Sequence, residues 1–425
     1  MSRPNTPIAA FVGLDWADQK HVVSLQEADS EQRQRFTLDQ TPEALQTWIQ
    51  LLRHRFAGQP VAIAVEQKRG ALIYALMHVD FLRLYPVNPQ TLSQFRKAFY
   101  PSGAKDDPTD ADLLLEILMA HRQHLRVWVP DDELTRSIQL LTEDRRHLVD
   151  ERTALTNQLM AALKTYFPQA LDWFGDLHTA RACAFLQRWP SLQHLKQASV
   201  SSIRKFYTAQ GYRGEDKREQ LIGNIKKAQP LTQDGAVLLS GAMKAQALVM
   251  QIPLLTESIE RYDEQIATLF KQHDDSTLFS SFPGAGQALA PRLLAAFGSD
   301  RGRFEFAAEM QQLAGIAPVT EKSGTGIWIH WRLACCKFLR QTFHEFAGRS
   351  ILESDWARAH YDQLRKRGKS HHAALRALAF KWIRIIFRCW KTRTPYDEAV
   401  YCKSLKLRRS PLADELPAAE KLALT

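Results

Sequence analysis

The sequence predicts an α/β domain over residues 1–130 followed by a long, mainly helical region, and three observations carry that prediction. Up to Pro130 short apolar runs alternate with helical patterns, and from Asp131 apolar residues recur at spacings of three and four. The composition, 45% hydrophobic and 24% charged over 425 residues with 19 Gly and 19 Pro, suits two or three globular domains and excludes a disordered or fibrous chain.

Taken in order, Ile8 to Leu14 (I-A-A-F-V-G-L) and His21 to Gln26 (H-V-V-S-L-Q) read as strands on either side of a W-A-D-Q-K turn, with Arg35 to Leu38 as a third strand of the same meander. Thr41 caps a helix that runs to about Arg53, Val61 to Val65 is a buried strand, Gly70 to His78 is helical, and Phe81 to Val87 is another strand. Strands that run together first and alternate with helices afterwards give the order of a ribonuclease-H-like sheet; a plain doubly wound sheet would produce much of the same pattern.

Beyond Asp131 a stripe from Ile138 through Leu141, Arg145, Leu148, Arg152, Leu155, Leu159 and Ala162 to Tyr166 follows 3-4 spacing, weakened by its two arginines. A second stripe, Leu248, Ile252, Leu255, Ile259, Tyr262, Ile266 and Leu269, is a sustained heptad seam despite Pro253. The two helices are expected to pair, either as a hairpin within one chain or as a seam between chains. Residues 168–240 read as short helices and loops. Ser281 to Gly298 places a Pro-Gly-x-Gly turn before an apolar helix, where backbone N–H groups of Gly284 and Gly286 can meet a phosphate, although such turns also serve as plain connections. Arg376 to Trp390 is a basic, aromatic helix that reads more readily as a packed core helix with solvated Lys and Arg than as a binding face.

The functional classes narrow next. No run of eighteen apolar residues occurs and the start, M-S-R-P-N-T-P, lacks the apolar segment of a signal peptide, so no membrane partner and a cytoplasmic location are expected. Cys183, Cys335, Cys336, Cys389 and Cys402 have no C-x-x-C spacing and are expected to be reduced. The net charge of +10 is entirely C-terminal: residues 321–425 hold 21 basic and 10 acidic residues, against 35 and 36 in the first 320. A basic field confined to one region reads as a nucleic-acid footprint.

Four carboxylates stand out. Asp15 ends the first strand, Glu66 ends the buried strand A-I-A-V-E, and Asp107 and Asp110 open the helix that runs to about His121, three apart and so on one face. A charge where a buried strand emerges is costly unless it is paired or holds a cation. Oxygen-only clusters of this kind suit Mg²⁺ or Mn²⁺, two of which can activate an attacking oxygen and stabilise a leaving one in phosphodiester chemistry. Singly, each acid has a structural reading: Asp110 suits the helix dipole, and Asp106 and Asp112 read as solvated acids.

The motifs V-G-L-D-W-A, A-V-E-Q-K-R-G, K-D-D-P-T-D-A-D, F-P-G-A-G-Q-A-L-A and L-A-G-I-A-P-V-T-E-K-S-G-T-G, in that order over residues 12 to about 348, resemble the DEDD insertion-sequence transposases, the family numbered one hundred and ten. The resemblance implies a RuvC-like DEDD domain at 1–130, a helical, coiled-coil linker and oligomerisation region at 131–275, a serine-bearing transposase domain at 276–400 and a tail at 401–425. It carries the family's acids onto Asp15, Glu66, Asp107 and Asp110 and its serine onto Ser323, whose Ser-Gly-Thr-Gly loop would otherwise pass for an ordinary turn. It further implies serine attack on DNA phosphodiesters assisted by Mg²⁺ or Mn²⁺, dimers or tetramers, and, in some members, guidance by a bridge RNA. Candidate nucleic-acid contacts are Lys105, Gly284, Gly286, Lys322, Arg332, Lys337 and Arg340, of which only Arg332 and Lys337 approximate the family's basic run after the serine. A structure-selective nuclease of the Holliday-junction type and a noncatalytic nucleic-acid scaffold are the alternative functions.

Overall fold

Strand β1 (Ala10–Asp15) lies at the centre of a five-stranded sheet with β2 (Lys20–Glu27), β3 (Arg33–Asp39), β4 (Val61–Val65) and β5 (Leu82–Pro86), in the order β3-β2-β1-β4-β5. In this computed structural model, which describes residues 7–67, 69–99, 107–211 and 214–413, the chain divides into two compact units, Met1–Pro130 and Asp131–Thr425. The first three strands are antiparallel and β4 and β5 join β1 in parallel, the arrangement of a ribonuclease-H-like sheet. Central β4 is apolar and buried at every position, as a strand covered on both faces must be, whereas β3 is an edge and carries exposed charges.

The sheet separates two cores. On one face Val12, Leu14, Ile63, Val65, Leu82 and Leu84 meet α1 (Pro42–Arg55) and α2 (Ala71–Leu76). Helix α1 begins at Thr41, whose hydroxyl accepts the Ala44 N–H at 3.2 Å, and buries Leu45, Trp48 and Leu52 along one stripe. On the other face the small residues Gly13, Ala62 and Ala64 leave room for α3 (Pro89–Phe99) and α4 (Asp107–His121). Five of α4's residues, Leu113, Leu114, Leu115, Ile117 and Leu118, are fully buried, about 1.5–3 kcal/mol apiece. At Gly13 the approach is closest: a Cβ there would stand 2.0 Å from the Ala111 carbonyl oxygen and 2.5 Å from the Leu115 nitrogen.

The second unit is built on α5 (Glu133–Tyr166), whose N-cap Asp132 accepts from the Thr135 N–H at 2.8 Å. The short helices α6 (Gln169–Trp173), α7 (Ala180–Arg188), α8 (Leu192–Gln197), α9 (Val200–Ala209) and α10 (Glu215–Lys227) lead to α11 (Gly235–Gln272). Helices α5 and α11 pack antiparallel within the chain: Arg145 bonds Asp263 at 2.5 and 2.9 Å, and Arg152 reaches Thr256 at 3.4 Å. The heptad seam is therefore occupied intramolecularly, with Leu248, Ile252, Ile259 and Ile266 buried, and Arg145 is accommodated by a facing carboxylate. Among the described residues α11 alone is long and apolar enough by composition to cross a membrane, and its seam is turned onto α5.

Each end of this helix pair seeds a core. One gathers Leu159, Leu163 and Tyr166 with Leu248 and Val249 and the helices α6–α10. The other gathers Ile138 and Phe270 with α12 (Ser276–Ser280), α13 (Gly286–Phe297), α14 (Ala307–Leu313), α15 (Lys337–Ser350), α16 (Asp355–Lys366), α17 (His371–Thr392) and α18 (Glu398–Leu407). Trp382 and Trp390 of α17 are fully buried and donate their ring N–H groups to Ser350 Oγ (2.8 Å) and the Gly298 carbonyl (2.7 Å), so the basic aromatic helix is a core helix with Arg384 and Arg388 outside. Between α14 and α15 stands a hairpin of β6 (Val319–Ser323) and β7 (Gly326–His330), two strands that the sequence reading did not assign, joined at the Ser-Gly-Thr-Gly turn.

Candidate catalytic sites

Asp15 is the last residue of β1 and Glu66 the first after β4. The two strands run parallel with Leu14 opposite Val65, so Asp15 and Glu66 each come next after that pair, at the C-terminal edge of adjacent strands. Both are half-buried. The loop after Asp15 is held by a residue that the sequence reading passed over: fully buried His21 accepts the Ala17 N–H at 3.2 Å on Nδ1 and meets Gln40 Oε1 through Nε2.

Asp110 arrives from the helical layer. The contact of Ala111 with Gly13 lays the first turns of α4 across β1, two residues before Asp15. Only 4% of Asp110 is exposed, and its Oδ1 accepts from Arg96 Nε at 2.7 Å and from Arg96 Nη2, an ion pair between α3 and α4. Asp107 is the first residue of α4, one turn earlier; its side chain, Lys105 and Asp106 lie outside the described residues.

Asp112 corrects an expectation. It is buried, not solvated, and accepts from Ser24 Oγ at 2.7 Å and from Arg35 Nε and Nη2 at 3.0 and 2.5 Å. Two residues beyond Asp110 the helix has turned by about 200°, which aims this carboxylate at β2 and β3 instead of toward Arg96.

The donor chemistry of Asp15, Glu66 and Asp110 is that of a hard divalent cation: carboxylate oxygens from two adjacent strand ends and one helix turn. As arranged, Asp110 is neutralised by Arg96, and among the described residues no three Asp, Glu, His or Cys side chains close on one point. Both Arg96 bonds fall on Oδ1, so coordination by Asp110 would use its Oδ2 or displace Arg96.

In the second unit Ser323 is exposed at the end of β6 and pairs with Gly326 across a tight turn in which Gly324 takes φ +56°. Lys322 beside it is exposed. Arg340 binds the carbonyls of Arg332 and Leu333 (3.4 Å to the latter) and Arg332 Nε reaches the Ala317 carbonyl at 3.4 Å, so these two arginines also fix the segment that follows the hairpin. Lys337 opens α15 and is exposed. The Gly284 N–H donates to a Glu353 carboxylate oxygen at 2.8 Å, and a Cβ at this φ +78° position would meet the Arg349 backbone at 2.8 Å; the turn seats α13 against the end of α15. Gly286, with φ +51°, faces open space.

Comparison with known proteins matches residues 12–168 to the DEDD IS110 transposase profile and residues 276–362 to the profile described as Transposase IS116/IS110/IS902 family. The chain is 26% identical over 398 residues to the mini-circle protein of IS117 from Streptomyces coelicolor, covering 92% of this chain and 96% of that one. It is 24% identical to the 43.6 kDa protein of insertion element IS110 from the same organism (92% and 96% covered). The 42 kDa protein of insertion element IS900 from Mycobacterium paratuberculosis is 26% identical, with 92% and 98% covered.

Proposed function

Since the chain belongs to the IS110 family of insertion-sequence transposases, and so acts on DNA, we propose that it cuts and rejoins DNA strands through Ser323, with a divalent-metal site at Asp15, Glu66, Asp107 and Asp110. The observation that supports the proposal is the parallel register of β1 and β4, which ends two adjacent strands just before or at an acid on the same edge, while Gly13 admits the helix bearing a third. Mg²⁺ or Mn²⁺, when bound, supplies neutralisation of the phosphate charge. The acids hold that ion, and the Ser323 hydroxyl, presented at the tip of a hairpin, attacks phosphorus. The Oγ–P bond forms as a P–O bond of the strand breaks; the serine proton leaves and the departing oxygen takes one up, giving a covalent DNA–serine link. Lys105, Lys322, Arg332, Lys337, Arg340 and Gly286 line the nucleic acid in this reading, whereas the Gly284 N–H, expected to meet a phosphate, is taken by the Glu353 carboxylate. A homo-oligomer, dimer or tetramer, assembles on the element ends and target, and a bridge RNA selects them by base pairing while Lys and Arg read backbone.

The test uses full-length protein purified with the RNA it retains, incubated with DNA flanking its gene and Mg²⁺. Asp15→Asn abolishes strand transfer with binding intact, and Ser323→Ala abolishes the denaturant-stable protein–DNA adduct. Undiminished cleavage by Ser323→Ala would refute the serine step and move the chemistry to water activated by the acids. Sequencing of the retained RNA checks the guide: a defined noncoding species is expected, and random fragments would refute it.

A further inference from the structure

The β6–β7 hairpin carries a second chemical group beside its serine. Its register sets Ser323 opposite Gly326 and Glu321 opposite Trp328. Directly opposed residues share a face and so do residues two apart on a strand, which puts Ser323, Gly326, Trp328, Glu321 and His330 on one face and Lys322, Ile327 and Ile329 on the other. Gly326 has no side chain, and the Trp328 indole occupies that space: a Cβ at Gly326 would stand 2.7, 3.1 and 3.2 Å from three of its ring carbons. The ring therefore lies along the strand toward the turn, over the residue paired with Ser323. Glu321 and His330, 3.4 Å apart, flank its other side.

Trp328 nevertheless keeps 53% of its surface in water. A two-stranded ribbon is marginally stable by itself, and an exposed indole at its tip contributes little burial to it. Position selects what covers the ring. It shares its face with Ser323, and with Glu321, which is turned to His330, while the cations Lys322, Arg332, Lys337 and Arg340 lie on the other face or beyond the hairpin, where they suit the backbone of a bound strand more than its base. An unpaired nucleobase next to a phosphodiester at Ser323 offers the flat apolar face that an exposed indole takes. Trp331, by contrast, is already stacked by Arg376 at 3.4 Å and Arg340 at 5.4 Å, which makes it part of the hairpin's base.

We propose that Trp328 stacks on an unpaired base of the DNA strand next to the phosphodiester offered to Ser323, and so positions that nucleotide for attack; the inference rests on the serine reading above. Trp328 is a positioning residue, and its π-face is the property that matters.

The experiment places 2-aminopurine in turn at each position flanking the cleaved phosphodiester of element-end DNA and follows its fluorescence on binding to the full-length, RNA-loaded protein. Parent and Ser323→Ala are expected to quench one position, Trp328→Phe to retain most of that quench, and Trp328→Ala and Trp328→Leu to lose it. Cleavage by Trp328→Ala falls by about tenfold or more, in line with the loss of one stacked base. Mismatches that unpair the flanking base restore part of that rate, since the unpairing cost is then already met. Quenching by Trp328→Leu equal to the parent's overturns the proposal, as does a changed oligomeric state in light scattering with the quench untouched, which would make the ring a contact between copies. Full cleavage by Ser323→Ala with the Trp328-dependent quench intact sinks the serine reading and leaves the stacking site standing.

Discussion

Replacing Gly13 by alanine would put one methyl group where β1 and α4 touch. It would sit 2.0 Å from the Ala111 carbonyl oxygen, 2.5 Å from the Leu115 nitrogen and 3.0 Å from the Leu115 Cβ, and the two closest are backbone atoms that no rotamer can move. Ordinary contact begins near 3.4 Å, so α4 must retreat by about 1.4 Å. That retreat loosens Leu114 and Leu118 against Ala62 and Ala64. Overpacking costs about 1–3 kcal/mol, and the backbone partners place Gly13→Ala at about 3 kcal/mol, a large share of a domain's stability of roughly 5–15 kcal/mol. It also carries Asp110 away from the end of β1, and misplacement of about 1 Å can lower a rate by about a hundredfold. Hydrogen exchange followed by mass spectrometry reads the two units separately: faster exchange is expected in peptides of β1 and α4 and unchanged exchange in α5 and α11, together with loss of DNA cleavage. Exchange in β1 and α4 indistinguishable from the parent would show that the helix docks otherwise than by the glycine.

Three further outcomes follow from the same geometry. Arg96→Ala leaves the buried Asp110 charge uncompensated, which costs about 3 kcal/mol in the first unit, and Mg²⁺ should stabilise this variant more than the parent; thermal melts with and without Mg²⁺ check it, and equal Mg²⁺ responses would count against coordination by Asp110. Arg145→Ala and Asp263→Ala, combined in a double-mutant cycle of urea unfolding, should show a coupling of about 1 kcal/mol, modest because Asp263 is partly solvated; zero coupling would demote the pair to an incidental contact. Burial, with Arg376 and the neighbouring histidines adding to it at His344 and Lys381 and Arg367 adding to it at His360, holds both imidazoles down to about 4. Their folded values lie below the unfolded one, so their contribution is complete above about pH 6.5 and is lost as pH falls toward 4, about 2 kcal/mol each after allowance for solvent. Replacing both by asparagine should flatten stability against pH over that window, and an unchanged slope would assign the acid sensitivity elsewhere.

The acids drew attention because each lies where a local pattern changes, a strand ending at Asp15 or just before Glu66 and a helix beginning at Asp107, whereas Ser323 came from the family resemblance, its glycine-flanked turn being by itself an ordinary one. Helix α3, which carries Arg96, the partner of Asp110, went unread although Leu92, Phe95 and Phe99 recur at spacings of three and four, a stripe only three residues long. The hairpin strands V-T-E-K-S and G-I-W-I-H have no buried face, so the period-2 signal that revealed β2 is missing from them. Asp112 was misread because its sequence neighbourhood is polar, whereas its helix position points it between Ser24 and Arg35.

Sequence by itself determined the kinds of element, their order, the antiparallel meander ahead of the parallel strands and the two long helices, since these follow from periodicities that each segment carries alone. Tertiary structure decided which charge meets which. Asp110 goes to Arg96, Asp112 to Arg35 and Arg145 to Asp263. Such pairings depend on how far α4 sinks onto Gly13 and how α11 lies along α5, and packing distances between elements far apart in the chain are set only when both surfaces are in place.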